Sequence, residues 1–469
     1  MNAHALPLCT SELTSLPPSF ADHPGLSGAG IAGLTLAIGL NAFDKERRYV
    51  IDMYECTPEL SEIGAGIMMY PKTLHILEDI GVSETLIPCF DHPPDLIPRT
   101  IFSARKVDHK PHGKHVLNVT QNGGSLPLHR ADLQRSLVTH LPKPDSPTPC
   151  TLHLSWRLLD YTQESPSGPI TLHFASGVTR TCDILIGADG IKSTIRQIFL
   201  SRFSNPEQYQ RYMEPLWAGT YAYRGLVSME ALAKEYPNHR LLDLTSTLYI
   251  SKNKYSVVYP VSGGRGVNIV ATIFDKEKEN TVREGPWQAE ATQEEFAEAF
   301  AGWEDEFQAL IKCTEKPTRW ALHNLDHLDI CAKGRVIMIG DAAHGMVPHL
   351  GAGAGTGIDD SYVLAALLTH NSIPRTPSVS DIDNVVEIYN SVRGPRGVNM
   401  SKASIHQGHL YYFEGQEFDN YKEGDEVPWD LVYKTGLAIQ ENWDWTADDP
   451  KVERRRTEAL LEERQKSSA

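Results

Sequence analysis

The residues best suited to chemistry in this sequence are glycines and acids grouped at bends. Gly28, Gly30 and Gly33 stand in GAGIAG with the spacing G-x-G-x-x-G. In such a bend the first glycine permits the tight turn and the second lets the backbone approach a pyrophosphate. The third lets the following helix pack on a sheet, with its N-terminus facing the phosphates. Glycine turns before helices are common, so Glu55 matters. It closes the segment RRYVIDMYE, 22 positions after Gly33, near the roughly 20 at which an acid meets ribose hydroxyls. The alternative for Glu55 is a solvated strand end. Both features together predict a dinucleotide site.

Two further bends lie far downstream. DILIGADGIKSTIR (183–196) is an apolar run followed by Gly187, Asp189 and Gly190, then Ser193 and Arg196. RVIMIGDAAHGMVPHLGAGAGTGIDD (335–360) is an apolar run followed by Gly340 and Asp341, then Pro348 and a glycine run that opens a helix.

The elements that must hold these bends can be read from periodicity. Gly28 to about Phe43 is an apolar helix after the glycine turn, and 47–55 is a strand bounded by charge. PKTLHILEDIG (71–81) and ADLQRSLVTHL (131–141) carry apolar residues at helical spacing. CDILIGADG (182–190) and 335–344 read as buried strands ending in sharp turns, and 355–370 reads as a helix. Between about 205 and 315 the pattern changes to strands: YAYRGLV, STLYISKNKYSVVYPV and GVNIVATIF, the last two joined by Gly263 and Gly264. One segment conflicts with this plan. Asp22, His23 and Pro24 argue against a buried central parallel strand ahead of Gly28. Either another segment fills that place, or the strand is missing, as a misassembled N-terminus would leave it.

The three spaced bends, in this order, resemble those of the group A FAD-dependent aromatic monooxygenases, the family of para-hydroxybenzoate and salicylate hydroxylases. HLGAGAGTGIDDSYVLAAL and YRGLV are most similar to the fungal salicylate-hydroxylase-like branch. The resemblance covers about residues 28–415 and implies an α/β fold. A Rossmann-like FAD-binding domain (28–204 and 316–400) would be interrupted by a β-rich substrate domain (205–315) and followed by a helical C-terminal extension (401–469). Residues 1–27 would lie outside it, as a disordered or misassembled N-terminus.

The resemblance further implies FAD as cofactor, NADPH or NADH as reductant, and O₂ and a small aromatic as partners, with a C4a-hydroperoxyflavin delivering the oxygen. By resemblance Asp341 meets the ribityl chain, and Pro348 lies against the isoalloxazine ring. Asp189 and Gly190 serve the pyrophosphate and the nicotinamide cofactor, and Arg130 reaches the FAD phosphates; a surface charge at a helix start is the plainer reading of Arg130. The run Gly351, Gly353, Ala354, Gly355 would present helix N–H groups to the flavin edge that becomes negative on reduction. An electrophilic oxygen donor reacts fastest with a phenolate, so the pocket calls for a cation or donor within an apolar wall. In KYSVVYPV, Tyr255, Val257, Tyr259 and Val261 share one face, and in TYAYRGLV Arg224 takes the face opposite Tyr221 and Tyr223. Arg224 is the candidate substrate anchor and Tyr259 its hydrogen-bonding partner. A surface ion pair and a packed aromatic are the plain alternatives. Two other functional readings stay open on sequence alone: a non-catalytic homologue that has lost FAD, and a flavin oxidoreductase without oxygen transfer.

Bulk properties exclude other classes. The formal net charge of −16 opposes association with nucleic acid or an anionic membrane. Seven scattered cysteines without a C-x-x-C pair fit neither a disulfide framework nor a Cys-based metal site. HKPHGKH (109–115) is expected to be a solvated loop, so no metal is assigned. No leader or apolar run of about 20 residues is evident, and the expected protein is cytoplasmic, a monomer or homodimer.

Overall fold

The structure, a computed structural model, describes residues 23–468 apart from 47–48, 61–65, 91–92, 144, 147, 262 and 329. The expectation for 1–22, and the Arg47–Arg48 start of the second strand, lie outside the described residues. One layer is built on a six-stranded sheet. Its spatial order is Ala332–Lys333, Val336–Met338, Ile184–Gly187, Pro24–Ser27, Ile51–Tyr54, Cys150–His153. All neighbours run parallel except the first pair. Such strands are covered on both faces, which is why ILIG and VIM are continuous apolar runs.

The strand that the composition of 22–24 argued against, leaving its place to another segment or empty, is present and central. Pro24–Ser27 is buried and pairs in parallel with Ile184–Gly187 on one side and Ile51–Tyr54 on the other. The sequence objection fails because the strand is only four residues long. Pro24 occupies its first position, where a missing N–H is tolerated. His23 falls outside the sheet, exposed, with its N–H donated to the Asp183 carboxylate at 3.2 Å. Gly25 is needed within the strand, since a Cβ there would stand 3.0 Å from the Cys182 sulfur.

Helix Ile31–Phe43 follows the glycine turn, shorter at its start than the sequence suggests because Gly28–Gly30 form the turn itself. It lies against helix Gly353–Leu368, and the contact is close: a Cβ on Gly39 would come within 3.1 Å of the Ala365 methyl. The two helices carry the first and third bends, so their packing fixes one bend against the other.

The second layer is an eight-stranded sheet. Its order is Gln288–Glu290, Thr314–Asn324, Leu216–Ser228, Gly266–Thr281, Lys254–Val261, Thr247–Ser251, Pro98–Lys106, Lys114–Asn122. It therefore takes strands from both flanks of the 205–315 block. His115 sits within Lys114–Asn122, so HKPHGKH is a loop only as far as Gly113. After it come helix Val379–Tyr411, 33 residues long and started by a Ser378–Asp381 capping box, then helices Trp429–Glu441 and Pro450–Ser468. The 429–441 helix packs on Lys114–Asn122, where a Cβ on Gly436 would stand 2.8 Å from Leu117. The last helix packs on Gly353–Leu368.

Candidate active site

A cavity of about 600 Å³ opens between the two sheets. Ten of the residues singled out from sequence line it: Gly30, Arg130, Gly190, Arg224, Tyr259, Asp341, Pro348, Gly351, Gly353 and Ala354. Gly28, Gly33, Glu55 and Asp189 stand behind this wall and shape it.

Gly28 has φ +105°, and a Cβ there would sit 2.3 Å from the Ala188 carbonyl oxygen, so the first two bends touch at backbone distance. A Cβ on Gly33 would meet the Gly28 carbonyl oxygen at 2.2 Å, which lets the helix start directly on the turn. Gly30 and Gly190 are different, because a Cβ at either would meet nothing within 4 Å. Their backbones face open space. Glu55 braces the turn: one carboxylate oxygen accepts from the Ala29 N–H at 3.0 Å and the other from the Thr57 N–H at 2.9 Å. Burial alone would raise its carboxyl, but these donors hold it below the usual range.

Asp189 turns inward. Its carboxylate accepts from Ser193 Oγ at 2.5 Å and from the Ile195 N–H at 3.2 Å, at the start of helix Thr194–Ser201. Burial raises its carboxyl despite these donors. Arg196, fully buried, ties the second bend to the third: it donates to the Ile191 carbonyl at 2.6 Å and to the Ala342 carbonyl at 3.0 Å. Burial brings its guanidinium down to about 10.

Behind the third bend lies a buried charge cluster. Asp360 accepts from the Gly340 N–H at 2.8 Å, from His344 Nε2 at 2.5 Å and from Arg393 Nε at 2.7 Å. Arg393 also pairs with Glu453 of the last helix. Burial would raise the Asp360 carboxyl, yet the charges of His344 and Arg393 hold it at about 2. His344 is thus committed to a structural partner. Asp341, by contrast, is exposed at the cavity edge.

The opposite wall comes from the large sheet. Ala222, Arg224, Tyr255, Val257, Tyr259, Val270, Trp320 and Leu322 line the cavity, as period-two alternation requires. Tyr223 points to the other face, stacked on Phe296 and bonded to Glu295 at 2.8 Å. The Arg224 guanidinium lies 5.4 Å from the Trp320 ring centroid and, among the described residues, forms no ion pair. Burial lowers its pKa, with Tyr259 opposing and Arg130 adding to the effect. Burial lifts the Tyr259 phenol to about 12.

Several lining residues escaped the sequence reading. Tyr411 comes from the end of helix Val379–Tyr411, Trp443 from the turn after helix Trp429–Glu441, and Phe102 from a strand well ahead of the β-rich block. Trp443, in the sequence WDW (443–445), packs on Tyr70 and Phe102, partners that its own neighbourhood in the chain does not name. His349 is buried beside Pro348 and bonded to Tyr255 Oη at 2.6 Å; only its place within the third motif could have marked it.

The cavity suits an extended dinucleotide. Open glycine backbone at Gly30 and Gly190 can approach phosphates, and Arg130 stands at the rim with the free N–H groups of helix Gly353–Leu368 across the cavity. Among the described residues no group of His, Cys, Asp and Glu is placed to hold a metal ion.

Comparison with known proteins agrees with this reading. The FAD binding domain family matches residues 26–372. The chain is 33% identical over 393 residues to a salicylate hydroxylase of Pseudomonas putida, spanning 82% of this chain and 85% of that one. It is 29% identical over 448 residues to a 6-methylsalicylate 1-monooxygenase of Aspergillus terreus, covering 91% and 90% of the two. Among solved structures, a salicylate hydroxylase substrate complex superposes with a TM-score of 0.76 at 30% identity, covering 94% of this chain and 98% of that chain. The chain belongs to the FAD-dependent aromatic monooxygenases. Its fold is the FAD-binding α/β fold of that family, and its activity is the FAD-dependent hydroxylation of an aromatic ring.

Proposed function

We propose that the substrate is a phenol or salicylate-like aromatic acid, that the reductant is NADPH or NADH, and that Arg224 anchors the substrate's anionic oxygen. The observation that carries this is the cavity-wall guanidinium of Arg224, which has no carboxylate partner among the described residues. A partly buried cation that lacks an anion is costly unless one arrives with a ligand. A phenolate or carboxylate supplies that charge, and a neutral hydrocarbon does not. The names of the relatives, which concern salicylate and 6-methylsalicylate, support the same substrate class.

FAD, when bound, carries electrons from the nicotinamide to O₂ and passes one oxygen atom to the ring. The chain's own residues supply the rest. Gly28, Gly30, Gly33 and Arg130 would hold the pyrophosphate region, Glu55 a ribose hydroxyl through its remaining lone pairs, and Asp341 the ribityl chain. Asp189 sets the bend from which Gly190 faces the cofactor. Pro348 and the Gly351–Gly353–Ala354 helix start would border the isoalloxazine ring, the helix N-terminus favouring negative charge there. Tyr259, protonated at ordinary pH, donates to the substrate oxygen that Arg224 holds. Tyr255, Val257 and Trp320 exclude water from the ring.

The test is Arg224→Ala. The variant should keep its flavin absorbance and lose substrate-stimulated NADPH oxidation with any phenol, while Arg224→Lys keeps part of it. Full turnover in Arg224→Ala sinks the anchoring role. Mass analysis of products across a phenol panel, with NADH and NADPH in parallel, tests the substrate class and the reductant.

A further inference from the structure

We infer that the outer edge of the large sheet binds the adenylate end of the nicotinamide reductant, with Lys192 and Arg283 on its phosphates and Trp287 against its adenine. The site rests on the reading above that NADPH or NADH is the reductant, and gives that reductant a place to dock.

The need for such a place comes from occupancy and charge. In that reading the open glycine bends and Arg130 serve FAD, so a second dinucleotide must be held by other groups. It brings several negative charges to a chain whose formal net charge is −16. Such a ligand is repelled except where cations stand without carboxylates.

That condition is met on the face of the large sheet opposite the cavity. Ala222, Trp320 and Leu322 line the cavity, so the alternating positions Tyr221, Arg319 and His323 point the other way, with Trp217 paired to His323 across the strands. Trp287 immediately precedes the edge strand Gln288–Glu290, and its carbonyl accepts from the Ala321 N–H at 2.7 Å. Its ring stacks on His323 with centroids 3.6 Å apart and planes 9° from parallel. The Lys192 ammonium stands 4.0 Å from the Trp287 ring centroid. A parallel ring at 3.6 Å leaves no room for it on the same side, so Lys192 covers the outward face. Trp287 is half-buried and Lys192 is exposed. Arg283 extends the array, its guanidinium 5.5 Å from the Tyr221 ring centroid and 5.8 Å from that of Trp217.

The charges of this array are unevenly matched. Lys278 is paired with Asp275 and Arg319 with Glu295, each at 2.6 Å. Among the described residues Lys192 and Arg283 have no carboxylate partner. Arg283 donates instead to the Tyr221 hydroxyl at 3.3 Å and to the Pro286 carbonyl at 2.9 Å. Burial, with the charges of Arg283 and Lys192 adding to it, brings His323 down to about 4, so both cations flank one neutral stack.

An adenylate group is a flat aromatic base tied to phosphates, and the array complements both parts. The long unbranched stem of Lys192 lets its ammonium swing from the Trp287 face onto a phosphate, which frees that face for the base. The Arg283 fork offers a phosphate paired donors. Gly190, two positions before Lys192, lines the active cavity, so the bend that carries Lys192 joins the array to the cavity.

The experiment titrates FAD-loaded full-length protein with adenosine 5′-diphosphate, the fragment common to both nicotinamides, by calorimetry. Flavin reduction by NADPH and by NADH is followed in parallel, with Lys192→Gln, Arg283→Gln and Trp287→Leu as variants. Each variant should weaken the affinity for the diphosphate and for the reductant about tenfold, while Lys192→Arg retains most of it. In the two Gln variants the affinity should also fall less steeply with added salt. Oxygenation of salicylate after reduction by dithionite does not use the nicotinamide and should match wild type, which separates lost docking from general damage. Wild-type affinity for the diphosphate and for both nicotinamides in Lys192→Gln and Arg283→Gln would overturn the site and leave the hydroxylase reading intact. If the wild-type flavin accepts electrons from neither NADPH nor NADH, the reductant reading falls and the docking site falls with it.

Discussion

Single atoms decide much at this site. Where Gly28, Gly33 and Ala188 converge, backbone meets backbone at distances that admit no side chain. Gly33→Ala must push the helix start off the turn, an overpacking cost of roughly 1–3 kcal/mol, and should show as purified protein with a reduced flavin-to-protein absorbance ratio. Gly30→Ala is the informative contrast. Its new methyl meets no protein atom within 4 Å, so the apoprotein should melt as wild type does while FAD affinity falls. Equal effects of the two on thermal stability without FAD would contradict the distinction between packing glycine and approach glycine.

At the scale of elements, the third bend is held by charge. Asp360 gathers the Gly340 N–H, His344 and Arg393, and through Arg393 it reaches the last helix at Glu453. Burial works against the His344 imidazolium, but Asp360 raises its pKa above the ordinary value. A group raised on folding stabilises fully below its unfolded pKa, about 6.5, and that stabilisation is lost as pH rises through the folded value. Melting temperature should therefore decline on the alkaline side of about pH 6.5, and His344→Gln should flatten that slope. Asp360 has the opposite sign: its contribution is present above about pH 3.9 and lost as the pH falls through about 2. An unchanged alkaline slope in His344→Gln would show that His344 is not charged in the folded protein.

Across the whole molecule, the site depends on segments from both ends of the chain. Trp443 is almost fully buried against Tyr70 and Phe102, and it lines the cavity beside Tyr411. Trp443→Ala should cost about 3–5 kcal/mol in denaturant unfolding and widen the substrate cavity, raising KM for small phenols more than for larger ones. Loss of stability with an unaltered substrate profile would place Trp443 in the core alone.

The sequence by itself determined the three glycine–acid bends, the alternation that sets Arg224 opposite Tyr221 and Tyr223 and groups Tyr259 with Tyr255, and the family. Each of these is local: a glycine spacing, a strand period or a motif read within some 25 residues. It misjudged Pro24–Ser27, because composition describes a neighbourhood while burial depends on which few residues actually enter the sheet. Only the tertiary structure decided that His349 meets Tyr255, that Arg196 joins two bends, that Tyr411 and Trp443 line the cavity, and that Glu453 reaches the third bend through Arg393. Those contacts link residues far apart in the chain, and nothing in the local pattern of either partner records the other.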